Sequence, residues 1–214
     1  MLGSPTRNRI SERREATRRE ILAAAWDIAR EVGLAQLTLR DVAERVGMRA
    51  PSLYTHFDSK LAIYDAMFGQ AWTEYELSLD QLEAELSDDP RTAIHQVTRH
   101  FYDFAVADHS RYQLMNERVI PGFTPSQAAF APSLRVFERG RRSVLALGGI
   151  SEDQFVIWVS LLGGLVNQHF ANDPHGTRFS DLLPVAVDLW ADAVGLVALG
   201  RAPSPRQHRE MSEK

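Results

Sequence analysis

The sequence predicts an all-α protein, with a small three-helix head followed by a larger helical body. Three observations carry this. Apolar residues recur at helical spacing along most of the 214 residues, and no useful stretch alternates as a strand would. Helix starts and stops are marked by capping residues, prolines and glycines in the expected order. Residues 37–60, LTLRDVAERVGMRAPSLYTHFDSK, read as two short helices about a tight glycine turn.

The elements follow in chain order. Residues 14–32 form an amphipathic helix with Ile21, Leu22, Ala25, Ile28, Ala29 and Val32 on one stripe, closed by Gly33. Thr38 and Asp41 make a capping-box-like start to the next helix, whose apolar positions are Leu39, Val42, Ala43 and Val46. Gly47 ends it, Met48 plugs the turn, and Pro51 sits in the first turn of a third helix, where a missing N–H costs nothing. Leu53, Tyr54 and Phe57 are expected on the buried side of that helix. Pro51, Ser52, Thr55 and His56 are expected on an outer face without an acidic residue.

A long helix is expected from Asp58 to about Leu86, then one opened by Asp89-Pro90, a short one over His109–Arg118 and the loop VIPGFTPS at 119–126. Another covers about Gln127 to Leu147, with Pro132 in its first turns or kinking it. Ser151 and Gln154 form a second capping box. Phe155 to Val166 are apolar nearly all round, which predicts burial on every side and suggests a subunit interface. Gly163 and Gly164 would let a partner backbone come close. A last helix is expected over about Ser180 to Leu199. The predicted organisation is a flexible basic arm at 1–13, a DNA-binding domain at 14–58, a ligand-binding and dimerisation domain at 59–200, and a disordered tail at 201–214.

The head carries the functional signal. A short helix behind a glycine turn, with a polar, acid-free outer face, suits entry into a DNA groove. The segment 17–64 resembles the N-terminal domain of TetR-family transcriptional regulators, and LYTHFDSK at 53–60 matches that family's L-Y-x-H-F-x-x-K pattern. The resemblance implies phosphate contacts for Thr38 and Arg40. It implies a major-groove face made of Arg49, Ala50, Pro51, Ser52 and Thr55, and backbone contacts for Tyr54, His56 and Lys60. The chain departs from the pattern at Pro51, where many members carry glycine. The last two long helices resemble the family's dimerisation pair, which packs into a four-helix bundle about a two-fold axis and implies a palindromic operator.

Charge agrees with this placement. The chain has a net charge of −4, but residues 1–60 hold 11 Lys+Arg against 8 Asp+Glu, and residues 61–214 hold 13 against 20. The basic excess sits with the head. Arg7, Arg9, Arg13, Arg14, Arg18 and Arg19 are expected to lie along phosphates or reach the minor groove. The chain has no cysteine, so no disulfide or thiolate zinc site is available. No signal peptide is visible, and no apolar run reaches the roughly 18 residues of a membrane span, so a cytoplasmic location is expected.

No catalytic or metal constellation stands out. The seven histidines make no i, i+4 pair or HExxH, and neither diglycine fits a phosphate loop. The expectation is no enzyme activity, no metal and no cofactor. A ligand site is more in keeping with an aromatic-rich body, because pockets are apolar with a few polar anchors. The resemblance implies an effector pocket between the middle helices, with candidates Trp72, Tyr75, His100, Phe101, Phe104, Tyr112, Met115, Phe123, Trp158 and Asn167. Asn116, Gln168 and His169 are further possible anchors. The resulting expectation is a dimeric repressor released from a palindromic DNA operator by a small, largely apolar effector. The alternatives are a constitutive or architectural DNA-binding protein without effector, and a helical small-molecule carrier or enzyme.

Overall fold

The structure, a computed structural model, describes residues 5–197, with side chains from residue 9 onward. Among the described residues every regular element is helical. Helix α1 spans Pro5–Val32, followed by a 3-10 turn at Leu34–Gln36. Then come α2 (Leu39–Arg45), α3 (Ala50–Leu53), α4 (Lys60–Glu83), α5 (Pro90–Val106), α6 (His109–Asn116), α7 (Gln127–Leu145), α8 (Glu152–Asn172) and α9 (Arg178–Ala193). None is long and apolar enough to cross a membrane. The tail expected at 201–214 lies outside the described residues.

One boundary differs from the sequence reading for an identifiable reason. Residues 5–13, expected to be a flexible arm, belong to α1. Pro5 suits a helix start, and neither proline nor glycine interrupts the Arg-, Glu- and Ala-rich run up to Gly33. In α9, Pro184 lies inside the helix. It has no N–H to give the Ser180 carbonyl, and the Arg99 guanidinium donates to that carbonyl instead, at 2.9 Å.

The residues fall into two compact units. One holds the chain up to Leu77 together with Asp108–Val136, and the other holds Ser78–Ala107 and the residues from Phe137 on. In the first, Ile21, Ala25, Leu34, Leu37, Val42, Leu53, Phe57, Ile63, Tyr64 and Met67 form the buried core. Tyr64 donates its phenol to the Leu34 carbonyl, and burial pushes that phenol up to about 12. The start of α6 is pinned to the end of α1. Ser110 Oγ donates to the Ala29 carbonyl at 2.8 Å, and Arg30 pairs with Asp108 at 2.8 Å. Asp65 of α4 accepts from the Ser126 amide and hydroxyl at 2.6 and 2.8 Å, fixing the loop that leads into α7.

In the second unit, Ile94, Val144, Ile150, Phe155, Trp158, Val187, Trp190 and Ala191 make the core. Two of its indoles are hydrogen-bonded. Trp158 Nε1 donates to Thr98 Oγ1 at 3.0 Å, and Trp190 Nε1 donates to the Gln154 carbonyl at 2.8 Å. The Ser151–Gln154 capping box closes the start of α8 reciprocally. Arg91 of α5 clasps α9, reaching Asp188 at 2.7 Å and Asp192 at 2.6 Å and donating to the Leu196 carbonyl at 3.1 Å.

Helix α8 is not buried on every side within the chain. Phe155, Trp158, Leu162 and Val166 face the core, while Val156, Ile157, Val159 and Leu161 are exposed. The apolar sequence of α8 therefore covers two faces, of which α5 and α9 cover one. On α9, Leu182, Val185 and Leu189 are exposed in the same way.

Candidate nucleic-acid interface

Helices α2 and α3 and the turn between them build the reading head. Thr38 caps α2, its Oγ1 accepting from the Asp41 amide at 3.2 Å. The carboxylate of Asp41 accepts the Thr38 hydroxyl proton at 2.7 Å. Gly47 takes φ 68°, a left-handed conformation that side chains resist, and the Met48 amide then donates to the Ala43 carbonyl at 2.8 Å. This closes the turn and points α3 away from α2.

Helix α3 is one turn long. Leu53 and Phe57, four apart, are buried, and Pro51, Ser52 and Thr55 are exposed without an acidic neighbour on that face. Tyr54 corrects the sequence reading. It was expected to pack in the core but is 51% exposed. One residue advances a helix by about 100°, so Tyr54 turns off the stripe that Leu53 and Phe57 bury. Its phenol is thereby free to reach outward. His56 is half-buried, and its Nδ1 is enclosed without a partner. The Thr55 hydroxyl donates to the Ser52 carbonyl at 2.7 Å and is left as an acceptor.

The cations of the head divide into two groups. Arg45 makes a two-pronged pair with Glu31 at 2.6 and 2.9 Å, and this hydrogen bonding holds the Glu31 carboxyl below its ordinary range. Lys60 donates to the Ala35 carbonyl at 3.2 Å, with its ammonium 5.5 Å from the centre of the Tyr64 ring. Arg14 and Arg18 of α1 donate to the carbonyls of Thr55 and His56. Arg40 and Arg49, by contrast, are exposed and have no hydrogen-bond or ion-pair partner among the described residues. Arg40 stands in the first turn of α2, and Arg49 is the residue that precedes α3.

The candidate ligand residues do not form one group. In the first unit, Trp72 meets Tyr75 at 6.1 Å and Phe68 at 6.5 Å, and Phe68 meets Phe123 at 6.3 Å and stacks on Phe130 at 6.1 Å. Phe68 is thus the hub of this aromatic cluster. The indole N–H of Trp72 is enclosed without a partner. Tyr112 and Met115 are buried in the same unit, where enclosure pushes the Tyr112 phenol up to about 12. In the second unit, His100 Nε2 lies 2.8 Å from Ser78 Oγ, Phe101 and Phe104 are half-buried, and Trp158 is bonded to Thr98. Asn167 lies on an exposed face of α8, away from the buried aromatics. Tyr102 and His169, T-shaped at 5.9 Å, each bury a polar atom without a partner. A pairing between residues so distant in sequence leaves no local signal. Among the described residues no cluster of three or more His, Asp or Glu could hold a metal ion.

A helix-turn-helix head on an all-helical frame, with Arg40 and Arg49 exposed and uncommitted on it, is the architecture of a DNA-binding regulator. Residues 21–67 match the family model for bacterial regulatory proteins, tetR family. These residues are thus a tetR-family DNA-binding domain, set at the N-terminal end of an all-helical chain. It is 47% identical over 47 residues to the tetracycline repressor protein class A from transposon 1721 of Escherichia coli, 22% of each chain. The HTH-type transcriptional activator FasR of Mycolicibacterium smegmatis is 29% identical over 104 residues, which is 49% of this chain and 47% of that protein. The chain thus matches less than half the length of these curated relatives. Over the whole fold, a TetR variant from Acinetobacter baumannii AYE in complex with minocycline aligns with a TM-score of 0.56 at 20% identity, covering 82% of this chain and 94% of that one.

Proposed function

We propose that this protein is a dimeric, ligand-responsive transcriptional regulator that reads a palindromic DNA operator. The observation that carries the reading is the α2–turn–α3 head, whose exposed face has no carboxylate and whose two exposed arginines, Arg40 in the first turn of α2 and Arg49 just before α3, have no internal partner among the described residues. Arginine without a partner beside a groove-sized helix is suited to phosphate or guanine. In this reading Thr38, Arg40, Tyr54, His56 and Lys60 meet the DNA backbone, and Arg49, Ala50, Pro51, Ser52 and Thr55 face the major groove.

Dimerisation through α8 and α9 is supported by the apolar residues these helices leave exposed. Gly164 leaves open space where a partner helix could approach. An effector bound among the body's aromatics would weaken DNA binding by favouring a conformer with the wrong spacing of the two heads. Coupling of this kind is typically ~1–3 kcal/mol. The polar atoms enclosed at Tyr102 and His169 of the second unit support a ligand with at least one hydrogen-bonding group. The relatives include one named as a repressor, one named as an activator and a structural neighbour holding minocycline. Repression is the sign of regulation proposed here.

The test is selection of bound DNA from a random duplex library at two salt concentrations. Enrichment of a palindrome with half-sites about one helical turn or slightly more apart is the expected result. Recovery of unselected DNA alone, lost as salt rises, would overturn sequence reading by this head.

A further inference from the structure

We propose that Arg18, assisted by Arg14, is a positioning residue that clamps the far end of the reading helix, and is not a phosphate contact. The proposal rests on the DNA-reading role assigned to α3 above. It departs from the sequence expectation that the arginines of α1 lie along the DNA.

Helix α3 cannot hold its own conformation. It contains four residues, far below the ~12–15 at which an isolated helix becomes even marginal in water. Its near end is fixed by the Gly47 turn and its middle by buried Leu53. Its far end runs out through Tyr54, Thr55 and His56. There the Leu53 carbonyl accepts from the amides of both His56 and Phe57, at 2.9 and 3.0 Å. The carbonyls of Thr55 and His56 receive no backbone donor among the described residues. They are the orphan acceptors of a helix C-terminus, which carries partial negative charge.

Two arginines of α1 supply what is missing. Arg14 and Arg18 are four apart and therefore share a face of α1. Arg14 Nη2 donates to the Thr55 carbonyl at 3.3 Å, and Arg18 Nη1 donates to the His56 carbonyl. The Arg18 guanidinium also lies 4.0 Å from the centre of the buried Phe57 ring. One planar side chain thus bonds the residue that ends the turn and stacks on the next. This fixes the direction in which Tyr54, Thr55 and His56 leave the helix. Arg14 is exposed and its bond is long, so Arg18 is the principal member. A lysine cannot replace it, because an ammonium is a hydrated point charge without a stacking plane.

The experiment uses the full chain with Arg18→Lys, Arg18→Met and, for comparison, Arg49→Met. Amide exchange is measured without DNA, and affinity for the library-selected operator and for a scrambled duplex is measured across salt. The clamp predicts that Lys and Met behave alike. Both should speed exchange at His56 and Phe57 by about 10-fold or more, with the core amides of Ile21 and Ala25 unchanged. Both should lose operator affinity by at least about 10-fold, with the scrambled duplex much less affected. A phosphate contact predicts the opposite. Arg18→Lys would resemble the natural protein, exchange would not change, and Arg18→Met would weaken both duplexes and lower the salt slope by about one unit. That pattern would overturn the clamp. If Arg18→Met does not fold, Arg18→Lys alone decides, since the two models disagree on it. If the natural protein selects no operator, the DNA-reading role fails, and the exchange data still decide whether Arg18 holds the turn.

Discussion

Leu189 on α9 is 69% exposed in the single chain, although it lies between Asp188 and buried Trp190. If α8 and α9 form the dimer face, Leu189→Gln removes an apolar side chain that the partner covers. Full burial of a leucine is worth ~1.5–3 kcal/mol, so about two thirds of that is ~1–2 kcal/mol per protomer. A two-fold axis repeats the substitution, giving ~2–4 kcal/mol per dimer. At ~1.4 kcal/mol per tenfold, the dimer dissociation constant should rise about 30- to 700-fold. Sedimentation equilibrium over a range of concentrations measures it directly. Within an isolated chain the same change should shift stability by less than ~0.5 kcal/mol, because an exposed side chain has little to lose. A dissociation constant that does not move would refute the assignment of this face to dimerisation. Loss of folding at concentrations where the natural chain is monomeric would show that Leu189 contributes inside the chain.

The remaining predictions concern the head and the α5–α9 clasp. Gly47→Ala meets open space but must adopt φ 68°, costing ~1–2 kcal/mol, partly offset by ~0.4–1 kcal/mol from a less flexible unfolded chain; thermal melting should show a net loss near ~1 kcal/mol. Arg49→Met should relax selectivity at one base pair of each half-site at a cost of ~1–3 kcal/mol, read by repeating the library selection, and uniform weakening across sequences would contradict base reading. Burial holds the His100 imidazole below its ordinary value, against the pull of Asp103. The unfolded chain therefore binds that proton first, and stability should fall as pH drops below the unperturbed value of 6.5. His100→Gln should flatten this dependence in denaturant melts at pH 7 and pH 5. Arg91→Met should cost ~1–3 kcal/mol at pH 7 by stranding acceptors on α9. Burial raises the Asp188 carboxyl, but hydrogen bonds and charge from Arg91 and His95 outweigh it and hold the group below 3.8. Its stabilisation is present above that pH and lost as acid protonates the folded form, so Arg91→Met should be less acid-sensitive than the natural chain.

What was legible in the sequence was local. Thr38, Gly47 and Pro51 each dictate a backbone event within a few residues, and the two short helices form where those residues place them. The Ser151–Gln154 box is legible for the same reason. The misreadings arise where one residue's fate depends on a distant partner. Tyr54 has the composition of a core residue, but its place one position past Leu53 turns it off the buried stripe. Phe68 becomes the centre of an aromatic cluster because α4 meets Phe123 and Phe130, more than fifty residues away in the sequence. Pro184 is tolerated inside α9 because Arg99 of α5 reaches the carbonyl that proline leaves unpaired. Helix α8 looked uniformly buried because hydrophobicity records that a face will be covered, without recording by which chain.

The same distinction governs the basic charge of the head. Counting Lys and Arg in residues 1–60 gives an excess that suggests many phosphate contacts. The structure assigns much of that charge to folding. Arg30 and Arg45 answer carboxylates, Lys60 and Arg14 answer carbonyls, and Arg18 both answers a carbonyl and stacks on Phe57. A cation already satisfied by the protein must exchange one partner for another to reach DNA, so it adds less affinity than an unpaired one. Arg40 and Arg49 face no such exchange. Under the proposed function, sequence discrimination would therefore fall on few side chains, and its accuracy would depend on how firmly the one-turn helix behind Arg49 is held.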